Sequence, residues 1–132
     1  MIRGLGTDII EINRIQKAVK KNSGFIERIF TQNERILLGE RNYHPNRIAG
    51  FFAAKEATVK AIGTGIRGMS WKDIEIQINP EGKPYIRLYN NALRIAYSKG
   101  IDEILISISH SREYAVAQAI AIQGMKVLER GE

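Results

Sequence analysis

Cysteine is absent from this 132-residue sequence, histidine occurs only twice, and there is no long apolar run. The absence of Cys excludes a disulfide scaffold, thiolate-ligated zinc, an iron–sulfur cluster and a cysteine nucleophile. With only His44 and His110 available, a metal site would have to be built mainly from carboxylates. No apolar run reaches the roughly 20 residues that cross a bilayer, and the N-terminus lacks the apolar core of a signal peptide. We therefore expect a soluble cytoplasmic protein without membrane insertion.

The composition is otherwise that of an ordinary folded domain. Hydrophobic residues make up 44% of the chain and charged residues 26%, values that are typical of globular proteins rather than disordered ones. A chain of this length fits one domain. Because there is no internal repeat, low-complexity stretch or linker-like segment, we expect residues 1–132 to form a single domain.

Positive charge is in excess, and part of it is concentrated in one segment. The net charge is +6, which suggests a negatively charged partner. Residues 12–21 carry four cations and no anion, and at helical spacing they form one apolar and one cationic stripe. The apolar stripe is Ile12, Ile15 and Val19, and the cationic stripe is Arg14, Lys17 and Lys21. This segment is either a solvated surface helix or a docking surface for an acidic partner, and composition does not distinguish the two.

The order of the predicted elements indicates an α+β fold. Period-2 alternation predicts the strands, whereas a capping box at 31–34, Pro45 and Gly63 mark helix ends, and Asn90 is expected to cap the last helix. The expected strands are 2–10, 74–78, 85–88, 103–109 and 114–122, and the expected helices are 12–21, a short one after the capping box, 45–62 and 90–99. Such an order is typical of helices packed on a mostly antiparallel sheet.

The long helix over 45–62 carries charges where none is expected. Its apolar residues cover nearly every direction, so most of its sides should be buried, yet it contains Lys55, Glu56 and Lys60. Glu56 and Lys60 could form an ordinary surface pair at i,i+4 spacing. Alternatively, they could face a water-accessible site and bind a charged ligand. Asp8, another carboxylate among apolar neighbours, is equally out of place in its strand.

Two short segments are weaker candidates for a site. The turn Gly63-Thr64-Gly65 could present backbone N–H groups to a phosphate, although a glycine after a helix is usually only a C-cap. His110 ends a predicted strand between two serines, where a structural role is more common than catalysis. No nucleophile elbow is present, so hydrolase chemistry is disfavoured.

Three segments together resemble one family. They are residues 4–15, which contain Gly6-Thr7-Asp8, residues 52–66, which contain Lys55-Glu56 and Lys60 before the Gly-Thr-Gly turn, and residues 107–111, Ser-Ile-Ser-His-Ser. Taken in this order, they resemble the holo-[acyl-carrier-protein] synthase family, the short bacterial type of 4′-phosphopantetheinyl transferase. The chain length is similar to that of the one-copy form rather than the double-length pseudo-dimer.

The resemblance implies a fold, an activity and a set of partners. The family transfers 4′-phosphopantetheine from coenzyme A to a serine of apo acyl carrier protein, releases adenosine 3′,5′-bisphosphate and requires Mg²⁺. It supports fatty acid biosynthesis in the cytoplasm. Its members are homotrimers with active sites between subunits. The alternative of a nucleic-acid-binding module lacks a module signature and leaves Asp8 and Glu56 unexplained, and a non-catalytic assembly protein has no use for Lys60.

The resemblance also implies roles for individual residues. Asp8 and Glu56 match the magnesium carboxylates and Lys60 the catalytic lysine. The transfer also needs a base for the serine proton, and for this role we take Glu56 as the first candidate and Asp8 as the second. The residues expected to bind coenzyme A are Arg47, Lys60, Gly63, Thr64, Gly65, Lys83, Pro84, Ser109 and His110. Arg14, Lys17 and Lys21 are expected to contact the acidic carrier protein.

One position departs from the family pattern. Members commonly have Arg just before the Phe-Ala-x-Lys-Glu motif, where this chain has Phe51. The substitution removes a candidate phosphate contact. We therefore expect nucleotide affinity to depend more on Arg47, Lys60 and Lys83.

Overall fold

The computed structural model, which describes residues 1–124, has two antiparallel sheets packed against one long helix. The strands are β1 (Ile2–Glu11), β2 (Ile74–Ile78), β3 (Pro84–Leu88), β4 (Glu103–His110) and β5 (Tyr114–Ile122). The helices are α1 (Ile12–Lys21), α2 (Phe25–Ile29), α3 (Gln32–Gly39), α4 (Pro45–Ile62) and α5 (Asn90–Ser98), and a short 3₁₀ turn covers Trp71–Asp73. The predicted α+β class is confirmed. The single domain over 1–132 stays a prediction, and its last eight residues lie outside the described ones.

The larger sheet has the order β1-β5-β4, and its inner face receives α4. On the central strand every second residue is an alanine that is at most 1% exposed, and the residues between them point outwards. These alanines are Ala115, Ala117, Ala119 and Ala121. Because their side chains are so small, the helix can lie close to the sheet and is buried on most sides, as its all-round apolar pattern predicts.

Gly4 and Gly6 let β1 approach α4 even more closely. A Cβ atom at Gly6 would lie 1.9 Å from the Ala57 carbonyl oxygen, and one at Gly4 would lie 1.9 Å from that of Ala61. These distances are far below van der Waals contact. Glycine weakens an isolated strand, but here it is required for packing, and Asp8, two residues further on, shares the same inward face.

Most predicted helix ends are confirmed. Thr31 and Glu34 form the capping box of α3, and Gly63 ends α4 with a φ of +92°. The expected cap at Asn90 is wrong, because Asn90 is itself the first residue of α5, with a φ of +50°, and Tyr89 occupies the N-cap. The Asn90 side-chain amide instead donates to Asp73 at 3.2 Å, so it is not free to cap the helix.

Candidate active site

Asp8, Glu56 and Lys60 meet where β1 crosses α4, and we call them the charge cluster. Lys60 Nζ lies 3.0 Å from Asp8 Oδ1 and donates a second hydrogen bond to the Thr7 carbonyl oxygen at 3.0 Å. The expected alternative of a plain i,i+4 pair with Glu56 is therefore not the contact that forms. The Lys60 side chain is 54% exposed and that of Asp8 is 10% exposed, so the cluster opens to solvent from a buried floor.

The pKa of Glu56 is affected by burial and by its neighbours in the charge cluster. Burial raises the pKa of Glu56, and the nearby Asp8 carboxylate raises it further. Lys60 and Arg14 oppose this effect only in part. Two carboxylates that share one partly buried site repel each other unless a cation lies between them.

Asp8 also has an unsatisfied oxygen. Its Oδ2 atom is buried and has no hydrogen-bond partner among the described residues, and such an atom normally costs free energy. No group of three or more potential metal-ligating side chains occurs within residues 1–124. Mg²⁺ is commonly held by one or two carboxylates, with the other positions taken by water and substrate phosphate. The orphaned Asp8 oxygen beside Glu56 fits that ion.

Lys55, next to Glu56 in sequence, has a different role that sequence reasoning did not find. Its ammonium lies 2.6 Å from Glu34 Oε1, and both side chains are 0% exposed. The Ile29 and Trp71 carbonyl oxygens accept from it at 2.9 and 3.0 Å. The sequence signal for this pair is only indirect, because the capping box already accounts for Glu34.

A cleft of about 690 Å³ lies at the N-terminal end of α4, and we call it the α4 cleft. Three of the predicted coenzyme-binding residues, Arg47, Pro84 and His110, line it. Sequence reasoning did not predict Arg41, His44 and Asn46, which also line the cleft. Among them, His44 could have been noticed, because it precedes the proline that opens α4 and its Nδ1 accepts from Asn46 N at 3.2 Å.

Other predicted coenzyme-binding residues lie outside this cleft. Lys83 is exposed in the β2–β3 turn, where Gly82 and Pro84 on either side of it line the cleft. The exposed Gly63-Thr64-Gly65 turn follows the C-terminal end of α4, beyond Lys60. Ser109 is exposed in a register row with Val116 and Ile9, a row on the face of the sheet that points away from α4.

The predicted docking residues all lie exposed on α1. Ile12 and Ile15 are buried beneath them, whereas Arg14, Lys17 and Lys21 face solvent. Arg14 lies near enough to the charge cluster for its charge to lower the pKa of Glu56. The basic surface of α1 therefore borders the charge cluster.

The charge cluster and the α4 cleft lie on opposite sides of the same helix. Arg47 precedes Glu56 by nine residues, which places them about 13 Å apart along the axis and about half a turn apart around it. None of the charge-cluster residues lines the α4 cleft. One small ligand therefore cannot contact both Arg47 and Glu56 of the same chain by a direct path.

Comparisons with known proteins cover almost all of this chain. A model of the 4′-phosphopantetheinyl transferase superfamily matches residues 4–119. A holo-[acyl-carrier-protein] synthase of Alkaliphilus metalliredigens is 64% identical over 121 residues, which are 92% of this chain and 99% of that protein. The Bacillus anthracis synthase in complex with CoA (3′,5′-ADP) is 42% identical, with a TM-score of 0.76 and coverage of 92% and 96%. The Helicobacter pylori synthase in complex with coenzyme A is 35% identical, with a TM-score of 0.79 and coverage of 89% and 99%.

Proposed function

This chain is an enzyme of the holo-[acyl-carrier-protein] synthase family, within the 4′-phosphopantetheinyl transferase superfamily, and from that premise we propose its reaction. It moves 4′-phosphopantetheine from coenzyme A to a serine of apo acyl carrier protein and releases adenosine 3′,5′-bisphosphate. The single observation that carries this proposal is the convergence of two carboxylates and an ammonium in the charge cluster. Its cellular role is to supply holo carrier protein for fatty acid biosynthesis in the cytoplasm. None of the described helices is long and apolar enough to span a membrane.

The chemistry is an in-line displacement at the β-phosphorus of coenzyme A. The carrier-protein serine oxygen forms the new bond to phosphorus, and the bond from phosphorus to the bridging oxygen breaks. Catalysis of such transfers depends mainly on positioning and charge neutralisation. Lys60, next to Asp8, is the group that stabilises or protonates the leaving oxygen.

The serine proton needs an acceptor close to the reacting phosphorus. Glu56 is the first candidate because its carboxylate lies in the charge cluster, close enough to Asp8 and Lys60 for their charges to act on it. Asp8 is the second candidate. A Mg²⁺ ion held by Asp8 and Glu56 would neutralise the charge of the diphosphate, and the orphaned Asp8 oxygen supports this assignment.

Acyl carrier proteins are acidic, so the basic face of α1 is the proposed docking surface. Its exposed cations Arg14, Lys17 and Lys21 would attract the carrier electrostatically, which mainly increases the association rate and weakens with salt. Because Arg14 adjoins the charge cluster, a carrier that binds there would present its serine close to Lys60.

We further propose that the enzyme is a homotrimer with active sites between subunits. The outer face of the large sheet exposes apolar rows, and Leu5 and Ile9 are 68% and 62% exposed. Leu5 is in register with Ile120 and Leu105, and an apolar face of this kind is typical of a subunit interface. Within one chain the α4 cleft and the charge cluster lie on opposite sides of α4 and do not face each other. In an oligomer, the α4 cleft of a second copy could lie next to the charge cluster of the first.

A labelling assay tests the reaction. Purified enzyme, apo acyl carrier protein and coenzyme A with a fluorescent group on its thiol should give a labelled carrier only when Mg²⁺ is present. Chromatography should detect one adenosine 3′,5′-bisphosphate for each labelled carrier. Absence of labelling, together with tight retention of RNA, would favour the nucleic-acid-binding alternative.

A mixing experiment tests the location of the site. Glu56→Gln and His110→Ala should each be nearly inactive. When they are unfolded and refolded together, shared sites should recover activity, because some interfaces combine an intact Glu56 with an intact His110. No gain over the separately refolded variants would contradict active sites between subunits, and sedimentation of the wild-type protein as a monomer would contradict the trimer.

A further inference from the structure

A second groove lies between α5, β3 and the start of β4, and we call it the α5 groove. Its volume is about 430 Å³. β3 and β4 belong to different sheets, and each is an edge strand of its sheet among the described residues. None of the residues expected to bind coenzyme A, Mg²⁺ or the carrier protein lines the groove. The proposed reaction therefore leaves it unexplained.

The walls of the α5 groove expose large apolar side chains. Leu93 and Tyr97, one turn apart on α5, are 50% and 78% exposed. Ile86 and Leu88 of β3 line the same groove and are half-buried. Neighbouring apolar side chains of this size are typical of a surface that another segment covers. Because edge strands also offer backbone N–H and C=O groups to an extended chain, the groove suits a polypeptide better than a small molecule.

Two carboxylates lie at the rim of the α5 groove. Asp102 and Glu103 line it and are exposed, and neither forms an ion pair within residues 1–124. Arg87, the one cation among the described lining residues, lies over the Tyr89 ring, with 5.3 Å between its guanidinium carbon and the ring centroid. A matching occupant would therefore combine apolar side chains with a positive charge near Asp102 and Glu103.

The chain itself leads to this groove. β5 ends at Ile122, opposite Glu103, and the Gly124 N–H donates to Asp102 Oδ1 at 2.7 Å. Since Asp102 lines the groove, the sequence continues from its rim. Eight residues, 125–132, follow Gly124, and at roughly 3.3 Å per residue they have a reach of about 26 Å. Three of them are apolar and two are cations, namely Met125, Val127 and Leu128, and Lys126 and Arg130.

We propose that residues 125–132 dock in the α5 groove of their own chain. Their apolar side chains cover Leu93 and Tyr97, and Lys126, which precedes both glutamates of the segment, faces the acidic rim. The tether at Gly124 gives the segment a high effective concentration at the groove, so weak contacts are sufficient. A second copy is a less suitable occupant, because the apolar rows proposed for the subunit interface, those of Leu5 and Ile9, do not line the groove.

Engineered thiols test the docking, because the chain has no cysteine of its own. In the full chain, Leu93→Cys is combined with Met125→Cys, Val127→Cys or Leu128→Cys, and disulfide formation is followed by non-reducing electrophoresis. In the matched controls Arg94→Cys, at an exposed position that does not line the groove, replaces Leu93→Cys. A disulfide needs Cα atoms within about 7 Å. At least one pair with Leu93→Cys should therefore close about 10-fold faster than its control, a difference that the shared tether cannot produce.

Hydrogen exchange tests the docking without altering the groove. Leu128→Asp replaces an apolar side chain by a charge of the same sign as the rim, so the segment should leave the groove. Amide exchange at residues 101–104 should then increase several-fold, because these residues lose their cover. Gly131→Asp adds the same charge to the same segment without removing an apolar side chain, and it should leave these rates nearly unchanged. Amides of α4 are the internal reference and should exchange alike in both variants.

Three results would overturn the docking. One is equal closure rates with Leu93→Cys and Arg94→Cys at all three positions, and another is unchanged exchange at residues 101–104 in Leu128→Asp. The third is a set of disulfides that join two chains, seen as a band of twice the mass, because the groove would then take the segment of a second copy. If Leu93→Cys destabilises α5, the exchange comparison decides alone, since Leu128 lies beyond the described fold.

Discussion

Lys55 and Lys60 lie five residues apart on the same helix, and their environments are opposite. Lys55 is completely buried, and it binds the equally buried Glu34 carboxylate and two backbone carbonyl oxygens. Lys60 is more than half exposed and lies beside Asp8, which has an oxygen without a partner among residues 1–124, and Glu56, whose pKa is raised. Lys55 belongs to a network in which each charged group has a partner, and Lys60 belongs to a network in which one carboxylate oxygen has no partner among the described residues.

The difference distinguishes charged groups that stabilise the fold, such as Lys55 and Glu34, from those of the charge cluster, which are expected to bind a ligand. Glu34 accepts from Lys55, from Ile76 N at 2.7 Å and from Thr31 N at 2.9 Å, so it connects α3, α4 and β2 and leaves no donor or acceptor for a ligand. A buried network of this kind stabilises one arrangement of the fold only while it stays complete. The charge cluster keeps a buried Asp8 oxygen that has no partner within residues 1–124, next to the more than half-exposed Lys60, and such an arrangement suits a ligand-binding site.

Replacing each lysine by methionine should produce the largest contrast. Lys55→Met leaves Glu34 buried without its counter-charge, and we expect the free energy of unfolding to fall by about 3–5 kcal/mol, a large fraction of the stability of a small domain. Lys60→Met removes an ion pair whose lysine is more than half exposed and whose Asp8 is buried, so it should cost less than Lys55→Met does, yet it should abolish most transfer activity. Urea denaturation measures the first effect and the labelling assay the second.

The opposite pattern would refute the comparison. If Lys60→Met unfolded more easily than Lys55→Met, the exposed pair would be the structural one. Lys72→Met, at an exposed position in the 3₁₀ turn, is the matched control and should change the free energy of unfolding by less than about 0.5 kcal/mol.

Glu56→Gln should lower activity without lowering stability. The amide keeps the size of the side chain but removes its charge, so the transfer rate should fall about 100-fold or more, the range reported for loss of one preorganised electrostatic contact. The thermal midpoint should not fall, because one of the two mutually repelling carboxylates has been removed. Glu27→Gln, at an exposed position on α2, should leave both the rate and the midpoint unchanged; a loss of folding in Glu56→Gln would make Glu56 structural.

A pH series sharpens the same point with a smaller effect. The pKa of Glu56 is raised by burial and by Asp8, so the folded protein binds this proton more tightly than the unfolded chain does. The stability that Glu56 contributes is therefore full below its ordinary pKa of 4.5 and is lost as pH rises through the raised pKa. In chelator, Glu56→Gln should become more stable relative to wild type between pH 4 and pH 7.5. A difference that stays constant over this range would contradict the raised pKa.

Sequence patterns predicted most of the fold because each depends on local rules. The local backbone geometry can be predicted directly from the capping box at Thr31, the glycine after Ile62 and the alternation of Ile74, Ile76 and Ile78. Asn90 was assigned wrongly because its side chain is used by Asp73, 17 residues away. Periodicity carries no information about a competing partner at that distance.

The same limit applies to the candidate site. Asp8, Glu56 and Lys60 could be identified because charges in apolar surroundings need an explanation, and the structure brings them together. The partner of Lys55 could not, since Glu34 already had a local role in the capping box. Gly4 and Gly6 have a low propensity for strands, so the sequence alone argues against a strand there. Their presence is explained only by the close approach of α4, which leaves no room for a Cβ atom. Residue roles at the site stay predictions until the variants are measured.

The smallest expected effect concerns the edge of the charge cluster. Arg14 is exposed on α1, yet its charge still lowers the pKa of Glu56. It therefore lies at the border between the proposed docking surface and the charge cluster. If it acts mainly in docking, Arg14→Glu should raise KM for acyl carrier protein several-fold, leave kcat nearly unchanged and lose its effect as salt increases. Lys20→Glu makes the same charge change about 120° further around the helix and should raise KM less. A large fall in kcat with an unchanged KM would instead make Arg14 part of the charge cluster, because reversing its charge would then act on Glu56 and not on the approach of the carrier.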